Sequence, residues 1–246
     1  MIPKNDHGVN LLINYKLLSI SYKCYVSLVI FAILISTNSA SIAANKANDA
    51  CRVLNTSKQV KKLLPFSSQI IIIKSLRGIK ANMTLCQRHG AIWQPMFTPV
   101  FSAVVGKNGI AAIGKKKEGD LKTPEGLYPI GEAFGTQPLA LKMDYKYITA
   151  DDKFIDDINN RRYNTWVSGP TDAKTYELML IEPYTYGAVI NYNMNPTIAG
   201  KGSAIFIHLW RSPNSPTAGC IALEKKHLLM MLHWLDKAQH PYILVR

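Results

Sequence analysis

The chain has 246 residues, of which 48% are hydrophobic and 18% charged, and this composition fits one folded domain of moderate size plus an export segment. Its formal net charge of +13 indicates attraction to a polyanion such as nucleic acid, anionic lipid or an acidic polymer. Because the basic residues are dispersed and no recognition helix, zinc finger or aromatic–basic platform is found, no nucleic acid partner is expected.

The N-terminal segment has the order of a signal peptide: basic residues, an apolar run over residues 25–35, and then small polar residues. The apolar run is about 11 residues long, which is short for a helix that needs roughly 20 to cross a bilayer. Small side chains predict cleavage between Ala43 and Ala44, so residues 1–43 are interpreted as the leader of an exported protein. The alternative is an uncleaved membrane tether, because a second apolar stretch, residues 11–20, lies upstream.

The cysteines suggest one disulfide and one free thiol. Cys24 falls in the leader, so an odd number remains in the exported chain: Cys51, Cys86 and Cys220. In an oxidising compartment cysteines pair where geometry permits. The simplest solution pairs Cys51 with Cys86, ties the N-terminal extension to the domain and leaves Cys220 free. The alternative is that all three are unpaired core residues.

The chain after the leader divides into a polar extension, residues 44–68, and a domain over residues 69–246. An amphipathic pattern in the extension predicts a short helix over residues 52–64, which Pro65 ends. Leucines at helical spacing predict one further helix over residues 224–238, near the C-terminus.

The rest of the domain is predicted to be β-rich. Short runs of β-branched and apolar residues, bounded by glycine and proline, are typical of strands. They occur at residues 69–74, 81–87, 100–105, 176–181, 186–191, 203–210 and 242–245. The glycine-rich segment 106–135 is expected to be mostly loop, and the polar segment 142–162 is expected to be irregular. Most lysines, with one dense run at 115–117, are expected on the solvated surface.

A histidine and a cysteine stand close together late in the domain. His208 ends an apolar strand, a turn-rich loop follows, and Cys220 comes directly after Gly219. An imidazole can take the proton of a nearby thiol and stabilise the thiolate. A glycine permits a tight turn whose backbone N–H groups can face an oxyanion. The pattern indicates Cys220 as nucleophile, His208 as its base and Thr217 as hydrogen-bonding support for the loop. The alternative is a structural cysteine beside a structural histidine.

Three blocks of the sequence resemble a known family. Residues 202–223 contain Gly-Ser-Ala-Ile-Phe-Ile-His, a variable loop and Pro-Thr-Ala-Gly-Cys-Ile-Ala-Leu, which resembles the catalytic motif of the L,D-transpeptidase catalytic-domain family. Residues 118–130 resemble the family's Gly-Asp-x-x-Thr-Pro-x-Gly turn and strand. Residues 162–164 stand where related sequences carry a Tyr-Asn pair. The blocks occur in order, and the likeness runs from about residue 69 to the C-terminus.

The resemblance implies a mostly β, sandwich-like fold with one helix after the catalytic cysteine. It implies that Cys220 attacks an amide at a D-stereocentre of a peptidoglycan stem peptide and forms a thioester acyl-enzyme, with His208 as general acid and base. It also implies no metal and no cofactor, and a location in the periplasm or cell wall. Two alternatives stay open: a carboxypeptidase- or amidase-type hydrolase on the same fold, and a non-catalytic wall-binding module.

Two positions depart from the family's pattern. Many members carry histidine where this chain has Ala218, and arginine where it has Ala222. That arginine is a natural partner for a substrate carboxylate, so its replacement puts donor and acceptor preference in doubt. Arg211 is the candidate substitute, with a solvated surface arginine as the alternative. Trp210 and Tyr192 are candidates to line a substrate groove, with core packing as the alternative.

Overall fold

The computed structural model of the protein describes residues 41–42, 44–63 and 66–246. Almost all of the predicted leader, residues 1–43, lies outside the described residues, so its cleavage or retention stays a prediction. In the part of the chain that is described, no helix is both long and apolar enough to cross a membrane.

The extension forms two short helices where the sequence predicted one over residues 52–64. Residues 46–56 are helical (α1), and Lys58–Leu63 form α2. The break falls at Ser57, whose side chain accepts a hydrogen bond from the Val60 amide at 3.4 Å and so caps the start of α2. Apolar side chains of both helices are buried against strands of the domain, which holds the extension in place.

Strands make up most of the regular secondary structure of the domain, which confirms the prediction of a mostly β fold. The strands in chain order are β1 Gln69–Ser75, β2 Lys80–His89, β3 Ile92–Pro95, β4 Phe101–Val104, β5 Ile110–Ala111, β6 Thr123–Pro124, β7 Gly126–Gly135, β8 Tyr145–Tyr147, β9 Asp152–Ile155, β10 Trp166–Ser168, β11 Tyr176–Leu178, β12 Tyr186–Ile190, β13 Phe206–Leu209, β14 Ile221–Leu223 and β15 Tyr242–Val245. The one α-helix of this domain is α3, Lys225–Trp234, which lies between β14 and β15 in the chain.

The main sheet closes on itself. Its pairing order is β1-β15-β7-β12-β13-β14-β4-β2, and β2 pairs again with β1, which gives a barrel-like ring of eight strands. Two of these pairings, β1–β15 and β13–β14, are parallel. Strands β10, β9 and β11 form a small separate sheet, and β5 pairs with β6. The sandwich-like detail of the sequence prediction is therefore not confirmed, because the strands close a ring.

Two segments that were expected to be loop contain strands. The glycine-rich segment 106–135, for which only the second sequence block implied a strand, includes the ten-residue β7, which lies centrally between β15 and β12. Glycine in this strand permits close approach, because a Cβ atom at Gly131 would collide with the Asn191 side chain. The polar segment 142–162 contains β8 and β9, whose polar composition masked their alternation.

The main core lies between the ring of strands and α3. Leu228, Met231 and Leu232 of the helix, with Leu235 just after it, are fully buried in this core. The helix prediction rested on leucines 228, 229, 232 and 235; of these Leu229 is only partly buried, and Met231 joins the buried face instead. The helix is shorter than the predicted 224–238, because Asp236 caps a separate turn of 3-10 helix by accepting a hydrogen bond from Ala238.

A disulfide joins α1 to β2. The sulfurs of Cys51 and Cys86 are bonded, the Cα atoms lie 5.7 Å apart, and both side chains are fully buried. Cys220 is free within the described part of the chain. The extension is therefore fixed to the domain by a covalent bond as well as by apolar packing.

Removal of this disulfide is expected to destabilise the fold without touching the cleft described below. The bridge closes a sequence separation of 35 residues. Replacing both Cys51 and Cys86 with alanine should therefore lower the free energy of unfolding by about 4 kcal/mol on the chain-entropy account. Urea unfolding of the double variant and the wild type measures the difference. Equal unfolding free energies would mean that packing alone holds the extension.

Candidate active site

Strands β13 and β14 bring the two candidate catalytic residues to one place. His208 lies on β13, and Cys220 directly precedes β14. The strands pair in parallel with His208 opposite Ala222, so Cys220 enters the sheet beside the start of β13. Both residues line one cleft with a volume of about 180 Å³. The strand pairing therefore fixes their proximity, and the intervening loop only connects them.

The Cys220 thiol is buried and held by the backbone of the segment that leads into β13. Its side chain donates to the Ala204 carbonyl, with a sulfur–oxygen distance of 3.2 Å, and accepts from the Phe206 amide at 3.3 Å. Burial raises the pKa of this thiol strongly, and the charge of Glu177 raises it further, while the Phe206 amide and Lys116 lower it. In the resting protein the sulfur is therefore a protonated thiol.

The His208 imidazole is oriented by its own strand. Nδ1 lies 2.8 Å from the Leu209 carbonyl oxygen, an acceptor, so Nδ1 carries the proton and Nε2 keeps its lone pair. Burial lowers the pKa of His208 to about 4, against the opposing effect of the hydrogen bond to Leu209, and the positive charge of Arg211 lowers it further. The ring of Tyr184 meets the imidazole edge-on at 5.1 Å. At neutral pH the imidazole is therefore uncharged and able to accept a proton.

Two threonines fix the turn that carries the cysteine. Thr217 donates to the Cys220 carbonyl at 2.6 Å and accepts from the Gly219 amide at 3.2 Å. Thr123 donates to the same carbonyl at 3.2 Å and accepts from the Gly106 amide at 2.9 Å. Thr217 thus makes the kind of contact that the sequence predicted, while Thr123 is an addition from the second sequence block.

Gly219 is required by the backbone conformation of this turn. Its φ is +155°, and a Cβ atom there would lie 3.1 Å from the Lys122 carbonyl oxygen and 3.3 Å from the Ile205 side chain. Both the conformation and the space therefore disfavour any other residue. Its N–H group, a candidate oxyanion donor in the sequence analysis, is directed to Thr217 in this structure.

The third sequence block supports the backbone that holds the thiol. Asn164 adopts a φ of +60°, and its side-chain oxygen accepts from the Ala204 amide at 3.1 Å. Its side-chain nitrogen donates to the carbonyls of Tyr192 and Asn193 at 2.9 and 2.8 Å. Because the Ala204 carbonyl accepts from Cys220, Asn164 positions the thiol through one intervening residue.

The structure separates the candidate substrate-binding residues. Trp210 and Arg211 line the cleft with Cys220 and His208, and Ala218 and Ala222 also face it. Tyr192 is not among the described residues that line this cleft. Its ring packs edge-on against Tyr128 at 5.2 Å and its hydroxyl donates to the Lys201 carbonyl at 2.6 Å, which matches the core-packing alternative.

Two titratable residues of the cleft have no counterpart in the sequence analysis. Glu177, from β11, and Tyr184, from a 3-10 turn before β12, both line the cleft. The Tyr184 hydroxyl donates to the Glu177 carboxylate at 2.6 Å. Burial raises the pKa of Glu177, while this hydrogen bond lowers it. Both come from segments without a motif. Their place in the cleft is seen only in the folded structure, where β11 and the 3-10 turn come close to β13.

The features above define a mostly β domain with a free thiol and a neutral imidazole in one cleft, the kind of site that acyl-transfer chemistry requires. The family model YkuD, described as the L,D-transpeptidase catalytic domain, matches residues 79–243. The chain therefore belongs to this family, whose members act on peptidoglycan, and the resemblance seen in the sequence is confirmed. Neither a curated protein nor a solved structure shows a significant match to the chain.

Proposed function

We propose that the protein is an exported L,D-transpeptidase that acts on peptidoglycan stem peptides in the periplasm or cell wall. Cys220 is the nucleophile, His208 is the general acid and base, and the intermediate is a thioester. The single observation that carries the proposal is the shared cleft, in which the free thiol of Cys220 lies with an uncharged His208 whose Nε2 is unprotonated. Membership of a peptidoglycan-modifying family supplies the substrate class.

Acylation begins with transfer of the thiol proton to Nε2 of His208. The sulfur leaves the Ala204 carbonyl and attacks the substrate carbonyl carbon, while the Phe206 amide donates to the sulfur as negative charge develops. Collapse of the tetrahedral intermediate breaks the carbon–nitrogen bond, and the imidazolium returns its proton to the leaving amine. A thioester on Cys220 and a released D-amino acid remain.

Deacylation repeats the same steps with a second nucleophile. An acceptor amine attacks the thioester carbonyl, His208 removes a proton from that amine, and the thiol leaves with the proton. The products are a new amide crosslink and the free enzyme. With water as the nucleophile, the same residues would give a hydrolase. That alternative rests on one observation, since the cleft wall presents Ala222 where many relatives place an arginine.

Incubation with defined muropeptides, read by mass spectrometry, tests the proposal. A crosslinked dimer or a product with an exchanged D-amino acid is the expected result. Loss of a terminal residue or of a linked chain, without any new bond, would replace the transferase with the hydrolase. Absence of every product from the folded protein would leave a wall-binding module.

Arg211 is expected to bind a carboxylate of the stem peptide. It is an exposed side chain on the cleft wall, and its charge reaches His208. Replacing Arg211 with Ala should raise KM about three- to tenfold and leave kcat within about twofold, since an exposed charged contact contributes modestly. Arg161→Ala, an exposed arginine that does not line this cleft, is the matched control. An unchanged KM would assign Arg211 to the solvated surface.

A further inference from the structure

Lys116 is the one member of the Lys115–Lys117 run that is buried. Only 4% of its surface is exposed, whereas the run as a whole was expected to be solvated. Its Nζ atom lies 2.6 Å from Asp120 Oδ1 and donates to the Lys117 carbonyl at 3.1 Å. Burying an ammonium group costs free energy even when it is paired, so this placement calls for an explanation.

The side chain of Lys116 fills space that two glycines leave open beside the cysteine turn. Its Cγ and Cε atoms lie 3.0 Å from the position that a Cβ atom would take at Gly202. Its Nζ atom lies 3.7 Å from the corresponding position at Gly219, the residue bonded to Cys220. The ammonium group therefore lies directly behind the backbone that carries the thiol.

The surrounding loop is also closed by hydrogen bonds that do not involve the Lys116 side chain. The Asp120 carboxylate already accepts from the backbone amides of Lys117 and Lys122, each at 2.9 Å. These are the contacts that a short acidic residue uses to stabilise a turn. The lysine adds a positive charge to a turn that backbone contacts already hold.

The charged and titratable groups around Cys220 act in opposite directions on its thiol. Glu177 on β11 raises the pKa of the thiol, and Lys116 lowers it. His208 is uncharged at neutral pH, Tyr184 is held protonated by burial, and Arg211 lies at the exposed end of the cleft. Lys116 is therefore the buried cation whose field reaches the sulfur from behind the turn.

We propose that Lys116 is a positioning residue that stabilises the Cys220 thiolate electrostatically, and that Asp120 limits the strength of this effect by partial neutralisation. This inference rests on the proposed role of Cys220 as nucleophile. It assigns to Lys116 the task of making the buried thiol reactive. It predicts effects of opposite sign for the two members of the ion pair. A purely structural ion pair would instead give effects of the same sign, because either loss would loosen the same turn.

The test reads the reactivity of the thiol and not turnover. The rate of Cys220 alkylation by iodoacetamide is measured between pH 7 and 9 on the purified protein. Mass spectrometry of the peptide that contains Cys220 separates it from Cys24. Lys116→Met should slow alkylation about three- to tenfold and Asp120→Asn should accelerate it by a similar factor. Lys116→Arg, which keeps the charge, should stay near the wild-type rate.

The double variant Lys116→Met/Asp120→Asn distinguishes an electrostatic effect on the thiol from loosening of the turn. A neutral pair should return alkylation towards the wild-type rate, whereas loosening of the turn would make the two changes add. Slowing in both single variants, acceleration in both, or no change in Lys116→Met would overturn the inference. Thermal unfolding of each variant verifies that it is folded, and Lys116→Gln replaces Lys116→Met if the latter is not. Loss of turnover with wild-type alkylation rates would count against the proposed function alone.

Discussion

Replacing Cys220 with alanine is expected to abolish turnover of muropeptides, by at least about four orders of magnitude, while the protein stays folded. The sulfur is the atom that forms the thioester, and no other free cysteine thiol exists in the described part of the chain. The side chain is small and lies in an aromatic cluster with Phe134 and Phe206, so the substitution removes little packing. Product formation is measured by mass spectrometry, and thermal unfolding verifies the fold.

The serine variant sharpens this result. In Cys220→Ser the hydroxyl can still accept from the Phe206 amide and donate to the Ala204 carbonyl, so the contacts of the resting state survive. A hydroxyl is a much weaker acid than a thiol, so we expect turnover to stay at least about 10²-fold below wild type. An acyl adduct should be captured on the wild-type protein and be absent from the alanine variant. Retained turnover in Cys220→Ala would remove Cys220 from the mechanism.

The local sequence pattern was sufficient to predict several strands of the main sheet. Strands β1, β2 and β15 were predicted from their runs of apolar residues, such as the four isoleucines of β1. Branched side chains pack well on the pleated surface of a sheet. The short separation of His208 and Cys220 along the chain suggested that they lie near each other, and both line one cleft. The parallel pairing of β13 with β14, which brings them there, was not visible in the sequence.

The features that sequence could not supply depend on contacts between distant segments. β7 contains glycines that read as turns, and only its position between β15 and β12 explains why side chains are excluded there. Lys116 reads as a surface residue until the space left by Gly202 and Gly219 is known. The position of Glu177 in the cleft likewise depends on a small sheet whose strands carry no motif.

Replacing His208 with alanine should lower kcat about 10²- to 10⁴-fold, the usual cost of a lost general base. The base must be unprotonated, and burial lowers the pKa of His208 to about 4. In the wild type kcat/KM should therefore be sustained at neutral pH and fall only as the pH drops through about 4. A rate profile between pH 3 and 8 measures this limb. A near-normal rate in His208→Ala, or a wild-type limb near the ordinary pKa of 6.5, would contradict the role of a buried neutral base.

The dependence of protein stability on pH gives an independent measure of the pKa of His208 in the folded protein. The unfolded chain binds a proton at His208 below about pH 6.5, while the folded protein binds it only below about 4. The unfolded state therefore holds more protons in this window, and the contribution of His208 to stability is present above pH 6.5 and lost as the pH falls to 4. His208→Gln, which cannot titrate, should lack this loss of up to about 3 kcal/mol. The free energy of unfolding of both proteins is measured in urea at pH 7 and pH 4.5. If both proteins lose the same amount between these pH values, His208 is not held neutral by the fold.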